Sequence, residues 1–77
     1  MAEIRSPIPG VFYRRPSPDE DEFVQEGDSV EAGAVIGLVE VMKQFHDVVA
    51  DEAGTVGSFE VDNEGEVDAG QMIVTIE

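Results

Sequence analysis

Lys43 is the one lysine of the chain and the strongest candidate for chemistry. The 77 residues include 18 acidic and four cationic side chains, a formal net charge of −14, and the other three cations are arginines. Met42 precedes Lys43, and Phe45 lies two positions after it. Lysine offers a primary amine on a flexible four-carbon stem, which suits an amide-linked prosthetic group. A lysine that serves only solubility is the alternative, although this chain otherwise uses acids for that purpose.

Few other side chains could form a reactive site. The chain has no cysteine, which excludes disulfides, thiolate zinc sites and thiol nucleophiles. His46 is the single histidine, so we expect an ordinary strand residue and no metal site. Residues 19–22 are four consecutive acids, but they lack the Asp-x-Asp-x-Asp-Gly spacing of a calcium loop.

The charge also restricts the partners that the chain can bind. A polyanion is repelled by the phosphate backbone of nucleic acids and by anionic membrane surfaces, so we expect neither as a partner. No apolar run approaches the roughly 18 residues of a membrane span, and the first residues lack the apolar stretch of a signal peptide. We therefore expect a cytoplasmic protein.

The rest of the sequence predicts strands that would position Lys43. Glycine and proline recur too often for long helices, and the runs between them are rich in Val, Ile, Phe and Thr. We expect residues 1–77 to form one all-β domain, a sandwich or barrel. The predicted strands are Gly10–Tyr13, Val35–Met42, Phe45–Ala50, Thr55–Val61 and Met72–Ile76.

Residues 14–22 interrupt this pattern with two prolines and four acids. Proline removes donors from a strand ladder and like charges repel, so we predict a protruding loop. A solvated loop without a role is the alternative.

An imperfect repeat divides the chain into two similar halves. Residues 29–40 (SVEAGAVIGLVE) match residues 66–77 (EVDAGQMIVTIE) at five of twelve positions without a gap. Upstream, Glu26-Gly27 resembles Glu64-Gly65 if one residue is skipped, and the 14–22 loop then accounts for about six extra residues in the first half. Two such halves predict a sandwich with pseudo-twofold symmetry, in which each half covers the apolar face of the other.

Lys43 falls where these strands require a tight turn. The first strand ends near Val41 or Met42 and the next begins near Phe45, which places Lys43-Gln44 in the turn of a hairpin. The turn lacks the Asn-Gly or Asp-Gly pair that hairpins favour.

The segment Val39-Glu40-Val41-Met42-Lys43 resembles the attachment motif of biotinyl domains, Glu-Ala-Met-Lys-Met. Val41 replaces the alanine of that motif and Gln44 replaces its second methionine. Residues 6–14, residues 16–19 and Phe23 are similar to the biotin carboxyl carrier proteins of bacterial acetyl-CoA carboxylase, including the loop called the thumb in that family. The resemblance extends from about Ile4 to Glu77.

The resemblance implies a flattened β-sandwich (a barrel-sandwich hybrid) of two four-stranded antiparallel sheets with quasi-twofold symmetry and a thumb at about residues 14–22. It also implies covalent biotin on Lys43, with Val41, Met42 and Gln44 as the neighbours that a biotin protein ligase reads. Such a protein is not an enzyme itself. It carries carboxybiotin from a biotin carboxylase to a carboxyltransferase, with acetyl-CoA as the favoured acceptor.

Two alternatives remain at this point. The same fold serves lipoyl carriers of 2-oxoacid dehydrogenases and of the glycine cleavage system, although their lysine usually follows aspartate and here follows Met42. The chain could also be an unmodified interaction domain with the same fold.

Overall fold

The computed structural model describes residues 2–77, which contain eight β-strands joined by turns and loops and no helix. This part of the chain therefore has no helix that could cross a membrane. The strands are β1 (Ala2–Arg5), β2 (Gly10–Tyr13), β3 (Ser29–Val30), β4 (Val35–Val41), β5 (Gln44–Val49), β6 (Gly54–Phe59), β7 (Gly65–Val67) and β8 (Met72–Ile76).

The strands form two four-stranded antiparallel sheets, which confirms the predicted flattened β-sandwich. The first sheet has the order β1-β8-β6-β3 and the second the order β5-β4-β2-β7. Every pairing between neighbouring strands is antiparallel. The hairpin of β4 and β5 therefore forms one edge of the second sheet, and Lys43 lies at its tip.

A quasi-twofold axis relates the two halves of the chain, as the internal repeat predicts. Exchanging β1 with β5, β2 with β6, β3 with β7 and β4 with β8 converts the order of one sheet into that of the other. Hydrogen bonds follow the same exchange. The Gly33 amide donates to the Ala50 carbonyl and the Gly70 amide to the Ser6 carbonyl, each at 2.8 Å.

This symmetry corrects the register of the repeat upstream of β3. The residue equivalent to Gly27 is Glu64 and not Gly65, because both have a positive φ, 96° and 68°. Their amides also donate to equivalent carbonyls, those of Val56 and Phe12, at 2.8 and 2.7 Å. The alignment then skips no residue. Residue identity does not reveal this match, because glutamate rarely adopts the left-handed conformation that glycine adopts readily.

The length of the insertion changes with the register. Gly54 follows its equivalent Gly10 by 44 positions, whereas Gly70 follows Gly33 by 37. The first half is therefore longer by seven residues and not by about six. The extra residues lie in the segment between β2 and β3, which contains the thumb.

The core lies between the two sheets and consists of the inward-facing residues of both halves. Ile36 and Ile73, which the repeat aligns, are both fully buried. Gly37 is buried against the Phe12 ring, and a Cβ at this position would collide with that ring. The buried apolar residues are Ile4, Phe12, Val30, Ile36, Val39, Val48, Ala50, Val56, Val61, Val67, Ile73, Val74 and Ile76.

The five strands predicted from apolar runs correspond to β2, β4, β5, β6 and β8, with ends that differ by at most two residues. The direct prediction missed β1, β3 and β7. β3 and β7 have only two and three residues, and the four residues of β1, AEIR, include a single β-branched side chain, so none of the three forms an apolar run. Each lies at an edge of its sheet.

Candidate functional site

Lys43 occupies the second position of a two-residue hairpin turn. Val41 pairs with Gln44 at the ends of β4 and β5, which leaves Met42 and Lys43 as the turn. Both turn residues have a positive φ, 51° and 67°, as a type I′ turn requires. The predicted turn, Lys43-Gln44, was wrong by one residue, because Gln44 belongs to β5.

The left-handed turn gives Lys43 a fixed position that projects from the body. L-residues other than Asn and Asp rarely adopt this conformation, which costs roughly 1–2 kcal/mol per residue. The neighbouring side chains do not bury the turn, since Met42 is 90% exposed. Lys43 forms no salt bridge with any residue from 2 to 77. No ion pair among the described residues therefore engages its amine.

Apolar surface is concentrated beside Lys43. Among residues 2–77 the exposed large hydrophobic side chains are Met42, Phe45 and Val49, all on the turn or on β5. Met42 and Phe45 lie within two positions of Lys43, whereas Val49 pairs with Val35 at the far end of β5.

Tyr13, Glu40 and Phe45 form a cluster on the outer face of the second sheet. The Tyr13 hydroxyl donates a hydrogen bond of 3.0 Å to Glu40 Oε1, and its ring centroid lies 6.3 Å from that of Phe45. Glu40 and Phe45 are cross-strand partners in the hairpin. The hydrogen bond to Glu40, reinforced by burial and by the charges of Glu40 and Glu64, raises the pKa of Tyr13.

A cavity of about 400 Å³ separates this cluster from the thumb. The thumb provides one wall, while Tyr13 and Phe45 provide the other. This volume lies within the range of small-molecule sites, roughly 300–1,000 Å³. The lining residues are Tyr13, Arg15, Pro16, Ser17, Pro18, Phe45, Asn63 and Glu64.

A second cavity, of about 430 Å³, lies on the other side of the hairpin. Three of the predicted site residues, Val41, Met42 and Gln44, line it together with His46, Ile8 and Pro9. Val41 also packs against the core and so anchors the end of β4. His46 lies exposed in β5, and residues 2–77 contain no group of three potential metal ligands.

The sequence predicted Lys43 and its immediate neighbours but not the Tyr13–Glu40 contact or the cavity. A partial signal existed. Tyr13 lies next to the buried Phe12 and so must face outward, and Glu40 and Phe45 become partners once the turn is placed at 42–43. The cavity between these side chains and the thumb depends on the conformation of the loop, which local sequence patterns do not encode.

The sequence of this chain is similar to those of known proteins. The model of a family described as biotin-requiring enzyme matches residues 2–76. The biotin carboxyl carrier protein of acetyl-CoA carboxylase from Haemophilus influenzae is 38% identical over 74 residues, covering 96% of this chain and 48% of that protein. Its counterpart from Pseudomonas aeruginosa is 40% identical over 73 residues, covering 95% and 47%.

A third relative, of the same name, comes from Nostoc and is 37% identical over 76 residues, covering 99% of this chain and 42% of that protein. The chain thus spans about half the length of these three relatives. The match to the family model extends across both halves of the sandwich and includes the Lys43 hairpin. The chain therefore belongs to the biotin/lipoyl family, the family described as biotin-requiring enzyme.

Proposed function

We propose that this chain is the biotin-carrying domain of an acetyl-CoA carboxylase, with biotin in amide linkage to Nζ of Lys43. The observation that carries the proposal is the presentation of the one lysine. Lys43 lies at the tip of a left-handed turn, exposed and without a salt bridge to residues 2–77. The names of the similar proteins support biotin as the group and acetyl-CoA carboxylase as the enzyme.

The residues around Lys43 fit a covalently attached group. Lys43 is exposed at the tip of the hairpin, and we expect a biotin protein ligase to reach it there and to read Val41, Met42 and Gln44. A cavity lies on each side of the hairpin, and the cavity under the thumb combines apolar walls with the polar side chains of Arg15 and Asn63. A ring attached to Lys43 has a place to rest on the protein surface between transfers.

The chain itself contributes position rather than catalysis. Lys43 would hold biotin, and the group would supply a ring nitrogen that carries a carboxyl group between a biotin carboxylase and a carboxyltransferase. Tethering raises the effective concentration of the group at both enzymes. The net charge of −14 favours encounters with basic surfaces on these partners.

Mass spectrometry of the intact chain tests the proposal. After co-expression with a biotin protein ligase, we expect one biotinyl group per chain. Co-expression with a lipoate ligase is the matched experiment, and we expect no lipoyl group because Met42 occupies the position before the lysine. A lipoylated chain would support the other carrier class, and a chain modified by neither ligase would contradict the carrier function.

Lys43→Arg is the control variant. Arginine keeps the positive charge but cannot form the amide, so avidin binding should disappear. The far-ultraviolet circular dichroism should not change, because Lys43 is exposed. Loss of the β-sheet signal in this variant would show that the lysine is needed for folding.

A further inference from the structure

We propose that Arg14 is a positioning residue for the thumb. It fixes this acidic loop over the outer face of the second sheet, so that the cavity beside Phe45 keeps its second wall. The role of Arg14 in holding the thumb is argued from contacts within the chain. The effect of the thumb on a group attached to Lys43 rests on the proposed function.

The Arg14 side chain joins the two ends of the thumb to the second half of the domain. Its guanidinium carbon lies 3.9 Å from the centroid of the Phe59 ring, a cation–π contact. Its Nη1 lies 3.4 Å from Oε2 of Glu22, at the far end of the thumb. Phe59 stacks in turn on Phe12 in the core, with ring centroids 6.3 Å apart. A chain of contacts thus runs from the thumb into the core.

The Arg14 backbone closes the base of the loop. Its carbonyl accepts a hydrogen bond from the Phe23 amide at 2.8 Å, and its own amide donates to Oδ1 of Asn63 at 2.8 Å. Asn63 also lines the cavity under the thumb. These backbone hydrogen bonds join the two ends of the loop, and the guanidinium contacts with Phe59 and Glu22 stabilise the same junction.

The charges explain why the thumb needs such a contact. The loop carries four consecutive acids, and the rest of the domain is also strongly acidic, so repulsion would drive the loop outward. Two of the four cations of the chain, Arg14 and Arg15, lie within 3.4 and 3.6 Å of the same Glu22 oxygen. Half of the lysine and arginine side chains of the chain therefore pair with the Glu22 carboxylate.

The Arg14–Glu22 contact is more buried than an ordinary surface ion pair, so salt screens it less. The side chains of Arg14 and Glu22 are 19% and 16% exposed, whereas Arg5 and Glu3, which pair at the other sheet, are 55% and 48% exposed. Exposed pairs contribute little and are screened by salt, but buried pairs are screened much less. A cation–π contact likewise strengthens with desolvation.

Amide hydrogen exchange followed by NMR tests the inference on the intact chain. In Arg14→Gln, the Phe23 amide should exchange at least about tenfold faster, because the variant loses a cation–π contact and a half-buried ion pair. Arg14→Lys keeps the charge without the planar fork and should give an intermediate rate. Arg5→Gln is the control and should leave the Phe23 amide unchanged.

A second pair of variants avoids any effect of Arg14 on folding. Glu22→Gln and Glu20→Gln each remove one negative charge from the same loop, but the Glu20 carboxylate accepts only an exposed bond from Ser17 among the described contacts. If Arg14 fixes the thumb, Glu22→Gln accelerates Phe23 exchange and Glu20→Gln does not. Equal rates in the two variants, or an unchanged rate in Arg14→Gln, would overturn the inference.

The effect on a bound group is measured on chains carrying isotope-labelled biotin. We expect contacts between the ring and Ser17 in the parent and in Arg5→Gln, and their loss in Arg14→Gln while the avidin-reactive fraction stays constant. Ring contacts that persist in Arg14→Gln would refute the positioning role. A parent chain without biotin would instead contradict the proposed function, and the exchange rates would still test the contact.

Discussion

Replacing Met42 by glycine should stabilise the domain, because Met42 holds a left-handed backbone conformation at φ 51°. This conformation costs an L-residue roughly 1–2 kcal/mol, and glycine adopts it without that cost. Glycine also raises the conformational entropy of the unfolded chain, which offsets roughly 0.5–1 kcal/mol of this stabilisation. Met42 is 90% exposed, so its removal sacrifices little apolar burial. The net gain should be about 0.5–1 kcal/mol.

Thermal unfolding by circular dichroism at fixed salt measures this gain. For a domain of this size, 1 kcal/mol corresponds to about 4–8 °C in Tm, so Met42→Gly should raise Tm by about 2–8 °C. The substitution keeps the net charge and Lys43, and therefore isolates the backbone term.

Gln44→Gly is the matched control, two positions away. Gln44 is exposed but belongs to β5, where its φ is not positive. Glycine there should lower stability by about 0.5–1 kcal/mol. If Met42→Gly were destabilised as much as Gln44→Gly, the turn would not have the left-handed geometry, and the argument for a fixed lysine would fail.

Three further predictions concern charge, the Tyr13 contact and the core. Raising KCl from about 0.1 to 1 M shortens the Debye length from about 10 to 3 Å and should raise Tm, because it screens the net charge of −14; a Tm independent of salt would contradict this. Phenolate absorbance of the one tyrosine should show a pKa for Tyr13 above 10, closer to 10 in Glu40→Gln. Since the folded pKa is the higher one, the stability from this contact is present below pH 10 and is lost as the pH rises through the folded pKa. In urea unfolding, Gly37→Ala should cost about 1–3 kcal/mol because its Cβ collides with Phe12, whereas a cost near zero would mean that the ring can move aside.

Strand prediction succeeded in apolar runs, including the four-residue β2, and failed in β1, β3 and β7, which lack such runs. β4 and β8 have seven and five residues with buried positions in each, and the sequence located both. β3 has two residues and becomes a strand only through its pairing with β6. A segment of that length carries no periodicity, so its state depends on a neighbour distant in sequence.

The repeat shows the same division between local and distant information. Side-chain identity aligned Ile36 with Ile73, because buried positions in both halves select similar apolar residues. The equivalence of Gly27 and Glu64 is a property of backbone conformation and of hydrogen bonds to Val56 and Phe12, and residue identity conceals it.

The sequence by itself determined the all-β class and the two halves, since composition and glycine spacing can be read along the chain. It also predicted Lys43 as the modified residue, because the chain has a single lysine. Only the tertiary structure decided that Met42 and Lys43 form the turn, because a two-residue hairpin is defined by which residues pair across it. The same holds for the thumb. Arg14 reaches the Phe59 ring only because the sandwich brings β2 and β6 together, and the sequence gives no period or spacing from which that contact follows.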